Sequence, residues 1–218
     1  MSDLAQAEGT DSVSVRTEYE WHGAGHAHNH KVLLPKLQEV LGFGAGKRLI
    51  DLGCGNGSMT AAFADRSYRT VGVDIAASGV RHAQQAHPDL EFLAHDLGEP
   101  LPRRLHQRFD VALSAEVIEH LLLPRSLFRR ADEALKPGGR LVITTPYHGW
   151  LKNLALAVTN KFDGHWSPGW DYGHVKFFSR ATLIEMTNEC GFTVESVHRV
   201  GRIPALAMSM VLVARKQS

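Results

Sequence analysis

The chain has 218 residues, 44% hydrophobic and 22% charged, which suits one globular unit with a sizeable core. Its 24 basic and 23 acidic residues leave a net charge of +1, which argues against a broad electrostatic grip on nucleic acid or an anionic membrane. Two cysteines make no disulfide framework and no apolar run is long enough to span a bilayer, so a cytoplasmic protein with no integral membrane segment is expected.

Taken in chain order, residues 1–15 are small and polar, carry no secretory signal, and read as a disordered tail. Residues 16–46 read as an N-terminal cap and helix. The cap holds Trp21, His22, His26, His28 and His30, which could serve as a metal tract or fold over a ligand. The helix shows helical apolar spacing from Leu33 to Leu41, with Pro35 placed in its first turn. Residues 47–218 then alternate strand and helix. Strands are expected at Arg48–Leu52, Arg69–Asp74, Leu90–Ala94, Phe109–Ser114 and Arg140–Thr145, with helices at Ser58–Asp65, Ala76–His87 and Leu127–Leu135 between them. Lys136-Pro137-Gly138-Gly139 reads as the turn into the fifth strand. After an insertion at 146–178, Ser179 is expected to cap a helix to Cys190, and Phe192–Val200 and Ala207–Arg215 to close the chain as an edge hairpin. This rhythm predicts an α/β fold: a mostly parallel sheet with helices on both faces.

The stretch Leu49-Ile50-Asp51-Leu52-Gly53-Cys54-Gly55-Asn56-Gly57-Ser58 organises the rest. It is a strand, an acid, three alternate glycines and a helix start. Glycine permits a sharp turn and close approach to a ligand, and the helix N-terminus attracts negative charge. A dinucleotide loop has G-x-G-x-x-G spacing and cradles a pyrophosphate. Here the spacing is G-x-G-x-G, and Asp51 would repel a pyrophosphate but attract an ammonium. An amino-acid-bearing nucleoside such as S-adenosylmethionine meets both demands, and the same features count against a nicotinamide-dependent oxidoreductase. Later strand ends add Asp74-Ile75, 21 residues after Gly53 and suited to ribose hydroxyls, then Asp96-Leu97, suited to adenine, then Ala115-Glu116. For Asp74 a helix N-cap is the competing reading.

Leu49 to Ser58, with these downstream acids, resembles the first motif and following motifs of class I S-adenosylmethionine-dependent methyltransferases. The resemblance runs from about Val32 to the C-terminus. It implies a single-domain Rossmann-like, seven-stranded sheet with an antiparallel last strand, and a cofactor held by Asp51, Gly53, Cys54, Gly55, Gly57, Asp74, Ile75, Asp96, Leu97 and Ala115.

For the acceptor, Glu116, Glu119 and His120 have spacings i,i+3 and i,i+4 and are expected on one helix face. With Asp171-Tyr172-Gly173-His174 downstream, they resemble the ubiquinone-biosynthesis O-methyltransferases, and Glu-x-x-Glu-His also resembles small-RNA 2′-O-methyltransferases. That resemblance implies a divalent metal such as magnesium on Glu116, Glu119, His120 and His174, gripping neighbouring hydroxyls and lowering the acceptor's pKa. His120 as a metal-free general base, assisted by Glu116, is the rival. A Glu116–His120 surface pair is the structural alternative.

The 146–178 insertion contains three of the four tryptophans, Trp150, Trp166 and Trp170, and reads as a substrate lid beginning with a one-sided apolar helix of Leu151, Leu154, Ala155 and Val158. An aromatic or lipid-like small molecule is the expected substrate. Nucleic acid is not, since Arg103-Arg104 and Arg129-Arg130 are too few and read as solvated faces. The leading expectation is O-methylation. N- or S-methylation, and a non-catalytic S-adenosylmethionine-binding protein, remain open, as do acceptor identity and oligomeric state.

Overall fold

The computed structural model describes residues 30–166, 169 and 172–217. The expected tail, the histidine tract up to Asn29, and Trp170 and Asp171 lie outside them, as does the side chain of His30. Seven strands, β1 Arg48–Leu52, β2 Arg69–Asp74, β3 Glu91–Ala94, β4 Phe109–Ala115, β5 Leu135–Pro146, β6 Phe192–Val200 and β7 Ser209–Lys216, form one sheet. Its order is β3-β2-β1-β4-β5-β7-β6, and β7 pairs antiparallel with both β5 and β6. The expected Rossmann-like sheet with a reversed last strand is therefore present.

The central strands are buried on both faces, as parallel strands require, while the edge strands β3 and β6 are partly exposed. Along β1 the side chains alternate: Leu49 joins one core layer and Ile50 the other. One layer packs under α4 (Arg125–Ala134) and α7 (Arg180–Glu189) through Leu127, Phe128, Ala131 and Leu183. The other packs under α1 (His30–Leu41) and α2 (Ser58–Ala64) through Leu33, Leu37, Met59 and Phe63. A small third cluster joins Val80 and Ala83 of α3 (Ala77–Ala86) to Cys54 and Phe92.

Four expectations need correction. Helix α1 starts at His30, so Pro35 lies inside it rather than in the first turn; Pro35 is exposed, which leaves water to satisfy the carbonyl it cannot bond. Residues 136–139 are not a plain turn: β5 begins at Leu135 opposite Phe109, and its ladder resumes with Val111 opposite Arg140. Arg130 is not solvated; it is buried and pairs with Glu133 at 3.0 Å. The fourth concerns α5 (Trp150–Val158). It is one-sided, but Trp150, Leu151, Leu154 and Val158 are exposed while Lys152 is buried. A short helix α6 (Phe162–Trp166) follows.

Candidate active site at the carboxyl ends of the strands

Strand order reverses around β1, which lies between β2 and β4, so the loops leaving β1 and β4 diverge to opposite faces of the sheet and open a crevice. The Gly53–Gly57 loop occupies it. Gly53 and Gly57 have φ of 90° and 78°. A Cβ at Gly53 would lie 2.3 Å from Val117 Cγ2, and one at Gly57 2.7 Å from the Ala83 Cβ. At these two positions the missing side chain leaves room for protein neighbours. Gly55, with φ 52°, donates its amide to Asp74 Oδ2 at 2.8 Å.

Asp74 accepts a second amide, from Ala76, through Oδ1 at 2.8 Å. Asp74 thus ties the glycine loop to the segment between β2 and α3, whose N-cap is Ala76 rather than Asp74, and keeps further lone pairs on each oxygen. Burial pushes its carboxyl above the usual range, the two amides pulling it back. Asp51 is buried beside the loop and accepts from Thr60 Oγ1 at 2.6 Å. Among the described residues it has no cationic partner. Burial raises its carboxyl to about 7, with Thr60 opposing. Burial, then the charges of Asp51 and Asp74, push the Cys54 thiol up, so it is an inert packing group. Ile75 is 61% exposed next to Asp74, whereas Leu97 is packed in the core, so of the two only Ile75 presents apolar surface. Asp96 is exposed and accepts the Gly98 amide. A buried carboxylate lacking a cation, a bonded Gly55 amide and an exposed aliphatic wall suit S-adenosylmethionine better than a pyrophosphate.

Past Ala115 the chain does not continue as an α-helix. Glu116 takes a left-handed φ of 58°, and Ile118–His120 form one 3₁₀ turn. Glu116, Glu119 and His120 therefore do not share a helix face. Contacts from elsewhere in the chain hold the turn so: Val117 fills the space above Gly53, and the Glu116 amide is held by Thr144. Glu116 Oε1 accepts from Thr144 Oγ1 at 2.9 Å. A non-glycine residue held in this region marks strain that the surroundings maintain.

The turn nevertheless brings Glu119, His120 and His174 together, with one ligand atom from each within 4.8 Å of the others. Glu116 stands outside this group. Glu119 is buried, accepts from Thr145 Oγ1 at 3.0 Å through Oε2, and leaves Oε1 buried without a partner. Its carboxyl is pushed up by burial and then by Glu116. Its backbone carbonyl receives the amides of Val175 and Lys176, which fixes His174 alongside. His120 Nδ1 lies 2.9 Å from the Tyr172 carbonyl, which places the proton on Nδ1 and the lone pair on Nε2. Burial lowers His120, the Tyr172 and Gly173 backbone opposing, and lowers His174 to about 4, so both rings are neutral near pH 7.

The four-residue metal set is thus reduced to three donors, one carboxylate oxygen and two imidazoles. That set fits a divalent cation: a buried carboxylate with one unpartnered oxygen lies within reach of two imidazoles, one of them oriented by a backbone carbonyl. It suits manganese, iron(II) or zinc better than magnesium. A cavity of about 400 Å³ adjoins it, lined by Glu116, His174, Lys152 and Arg202 among others.

A methyltransferase-domain family model matches residues 26–197. This chain belongs to the methyltransferase-domain family. Within the family it is 33% identical, over 146 residues, to the ubiquinone biosynthesis O-methyltransferase of Bradyrhizobium sp., covering 65% of this chain and 56% of that protein. It is 32% identical to the protein of the same name from Ruegeria pomeroyi, covering 72% of this chain and 63% of that one. The chain thus spans about six-tenths of the length of these relatives. Among solved structures it resembles an S-adenosylmethionine dependent methyltransferase from Mesorhizobium loti, with TM-score 0.67 and 22% identity over 89% of this chain and all of that one.

Three features of this methyltransferase domain escaped sequence reasoning. Lys152 was hidden in an apolar run whose face is inverted. Arg202 follows Gly201 in a loop with no motif. Thr144 and Thr145, which hold Glu116 and Glu119, carried one signal: a polar pair ending an apolar strand.

Proposed function

We propose that this protein is an S-adenosylmethionine-dependent methyltransferase that methylates a hydroxyl oxygen of a small molecule bearing neighbouring hydroxyls. The observation that carries the reading is the convergence of the Glu119 carboxylate, His120 and His174 beside a cavity of about 400 Å³, next to a glycine loop with a buried carboxylate that has no cationic partner among the described residues. The names of the relatives support oxygen as the acceptor atom.

S-adenosylmethionine, when bound, supplies a methyl group activated on a sulfonium. Asp51 faces its ammonium, Asp74 its ribose hydroxyls, Ile75 and Asp96 its adenine, and the Gly53–Gly57 backbone and Ala115 border it. Glu119, His120 and His174 would hold a divalent cation, whose charge would lower the pKa of an acceptor hydroxyl. His120 is the alternative proton acceptor, a role its lowered pKa allows. Glu116, set by Thr144 and Ser209, borders the acceptor. Residues of the 146–178 insertion form one wall of the cavity and exclude water from the transfer. In-line placement of acceptor and methyl donor supplies most of the rate.

Metal binding is tested directly by titrating the full chain with Co²⁺ and following its visible absorption. Bands of a histidine-ligated site, lost in Glu119→Gln and in His174→Ala, are expected. A featureless titration in the wild-type protein removes the metal and leaves His120 as the base.

A further inference from the structure

Helix α5 exposes its apolar side and buries Lys152, which is 7% exposed. Lysine is almost never buried unless paired. Here its Nζ has a single 3.3 Å bond to the Met208 carbonyl for three donor hydrogens. Neither it nor Arg202 has an ion-pair partner among the described residues. Both line the cavity beside His174, with Lys161 at its exposed rim. Against these three cations the lining holds one carboxylate, Glu116, so cations exceed anions by two. The rings of His165 and His174 are also in the lining. Burial and the charge of Arg202 drive Lys152 down to about 8, with Glu116 opposing, the signature of a cation without a counter-ion. Arg202 itself sits at φ 55°, left-handed for a non-glycine residue.

We propose that the methyl acceptor carries a carboxylate, received by Lys152 and Arg202, at the end of the molecule away from its reacting hydroxyl. The inference rests on the proposed transfer to a hydroxyl, which places that hydroxyl near His174. The cavity volume suits a single ring with short substituents. Leu156 and Leu206 supply apolar contact for the ring. Charge-assisted bonds from two cations to one carboxylate give both affinity and orientation.

The test is calorimetric binding of 3,4-dihydroxybenzoate and of catechol to the full chain saturated with S-adenosylhomocysteine. No methyl group is available in that complex, so binding is read apart from turnover. The wild-type protein is expected to bind the carboxylate compound at least about tenfold more tightly than catechol. Lys152→Gln and Arg202→Gln should each remove most of that preference, with catechol affinity within about twofold of wild type. Lys152→Arg should retain it, since the charge survives. Arg202 is exposed, so Arg202→Gln decides the matter should Lys152→Gln not fold. Equal binding of the two compounds, a preference that persists in the variants, or no binding of either overturns the proposal. Methylation of catechol by a protein indifferent to the carboxylate sinks this inference and spares the methyl-transfer reading. A carboxylate preference without any methyl transfer does the reverse for the site and the reaction.

Discussion

At the residue scale, two acids behave differently for reasons of environment. Asp110 is partly exposed and bonded to Lys136 and the Arg48 amide, so its carboxyl lies below the usual range. Asp51 is buried with only a threonine hydroxyl as partner, so its carboxyl rises from 3.8 to about 7. Its folded-state pKa exceeds the unfolded value, so the cofactor-free fold loses stability as pH rises from about 4 to about 7, by about 4 kcal/mol, and no more above that. A ligand ammonium placed beside it favours the ionised form and reverses the effect. S-adenosylhomocysteine affinity is therefore expected to rise by up to about tenfold per pH unit from pH 5 to 7 and then level off. Calorimetry in buffers of different ionisation enthalpy should show proton release below pH 7. A flat affinity with no proton release separates Asp51 from the cofactor. Asp51 was legible in the sequence because an acid before alternate glycines has few other uses. The Glu119–His120 geometry was legible only as composition. The spacing matched a helix, but the Glu116 backbone turns left-handed under constraints from Gly53, Val117 and Thr144, residues far apart in the chain.

At the scale of the elements, the glycine loop works as a packed joint. Gly53→Ala meets both a φ of 90° and Val117 at 2.3 Å, so it should displace the 3₁₀ turn that carries Glu119 and His120. We expect at least a tenfold loss of S-adenosylhomocysteine affinity, partly recovered by Val117→Ala, which makes room but leaves the backbone strained. Absence of any recovery in the double variant would assign the whole loss to the backbone. Helix α7 offers a contrasting case. Ser179 and Thr182 form a reciprocal cap, with bonds of 3.2 and 3.0 Å, away from the cofactor loop. Ser179→Ala should lower unfolding free energy by about 1 kcal/mol in denaturant titration and leave cofactor affinity unchanged. This cap could be read from the sequence because it is local. The orientation of α5 could not. Periodicity shows that a helix has an apolar side, but only the fold decides whether that side meets the core or, as here, solvent.

At the scale of the molecule, the alternation of strand and helix sufficed for most of the sheet, because β1, β4 and the second half of β5 are buried, largely apolar runs. Helices α2, α3 and α4 lie on three of the four crossovers between parallel strands, while β3 reaches β4 through a segment with one short 3₁₀ turn, Arg103–Leu105. Placing β7 between β5 and β6 puts Ser209 and Met208 beside the end of β5, where Glu116, Lys152 and Arg202 gather around the cavity. On the proposed reading the reversed strand builds the acceptor side, and β1 to β3 the cofactor side. The measurement that tests this division most directly is mass-spectrometric transfer of a deuterated methyl group from S-adenosylmethionine to 3,4-dihydroxybenzoate and catechol by wild-type protein and by His120→Ala. The account predicts a labelled methyl ether from the wild-type protein, with at least a hundredfold lower rate in His120→Ala at unchanged cofactor affinity. Tight cofactor binding with no labelled ether from either compound, or equal rates in both proteins, would contradict it.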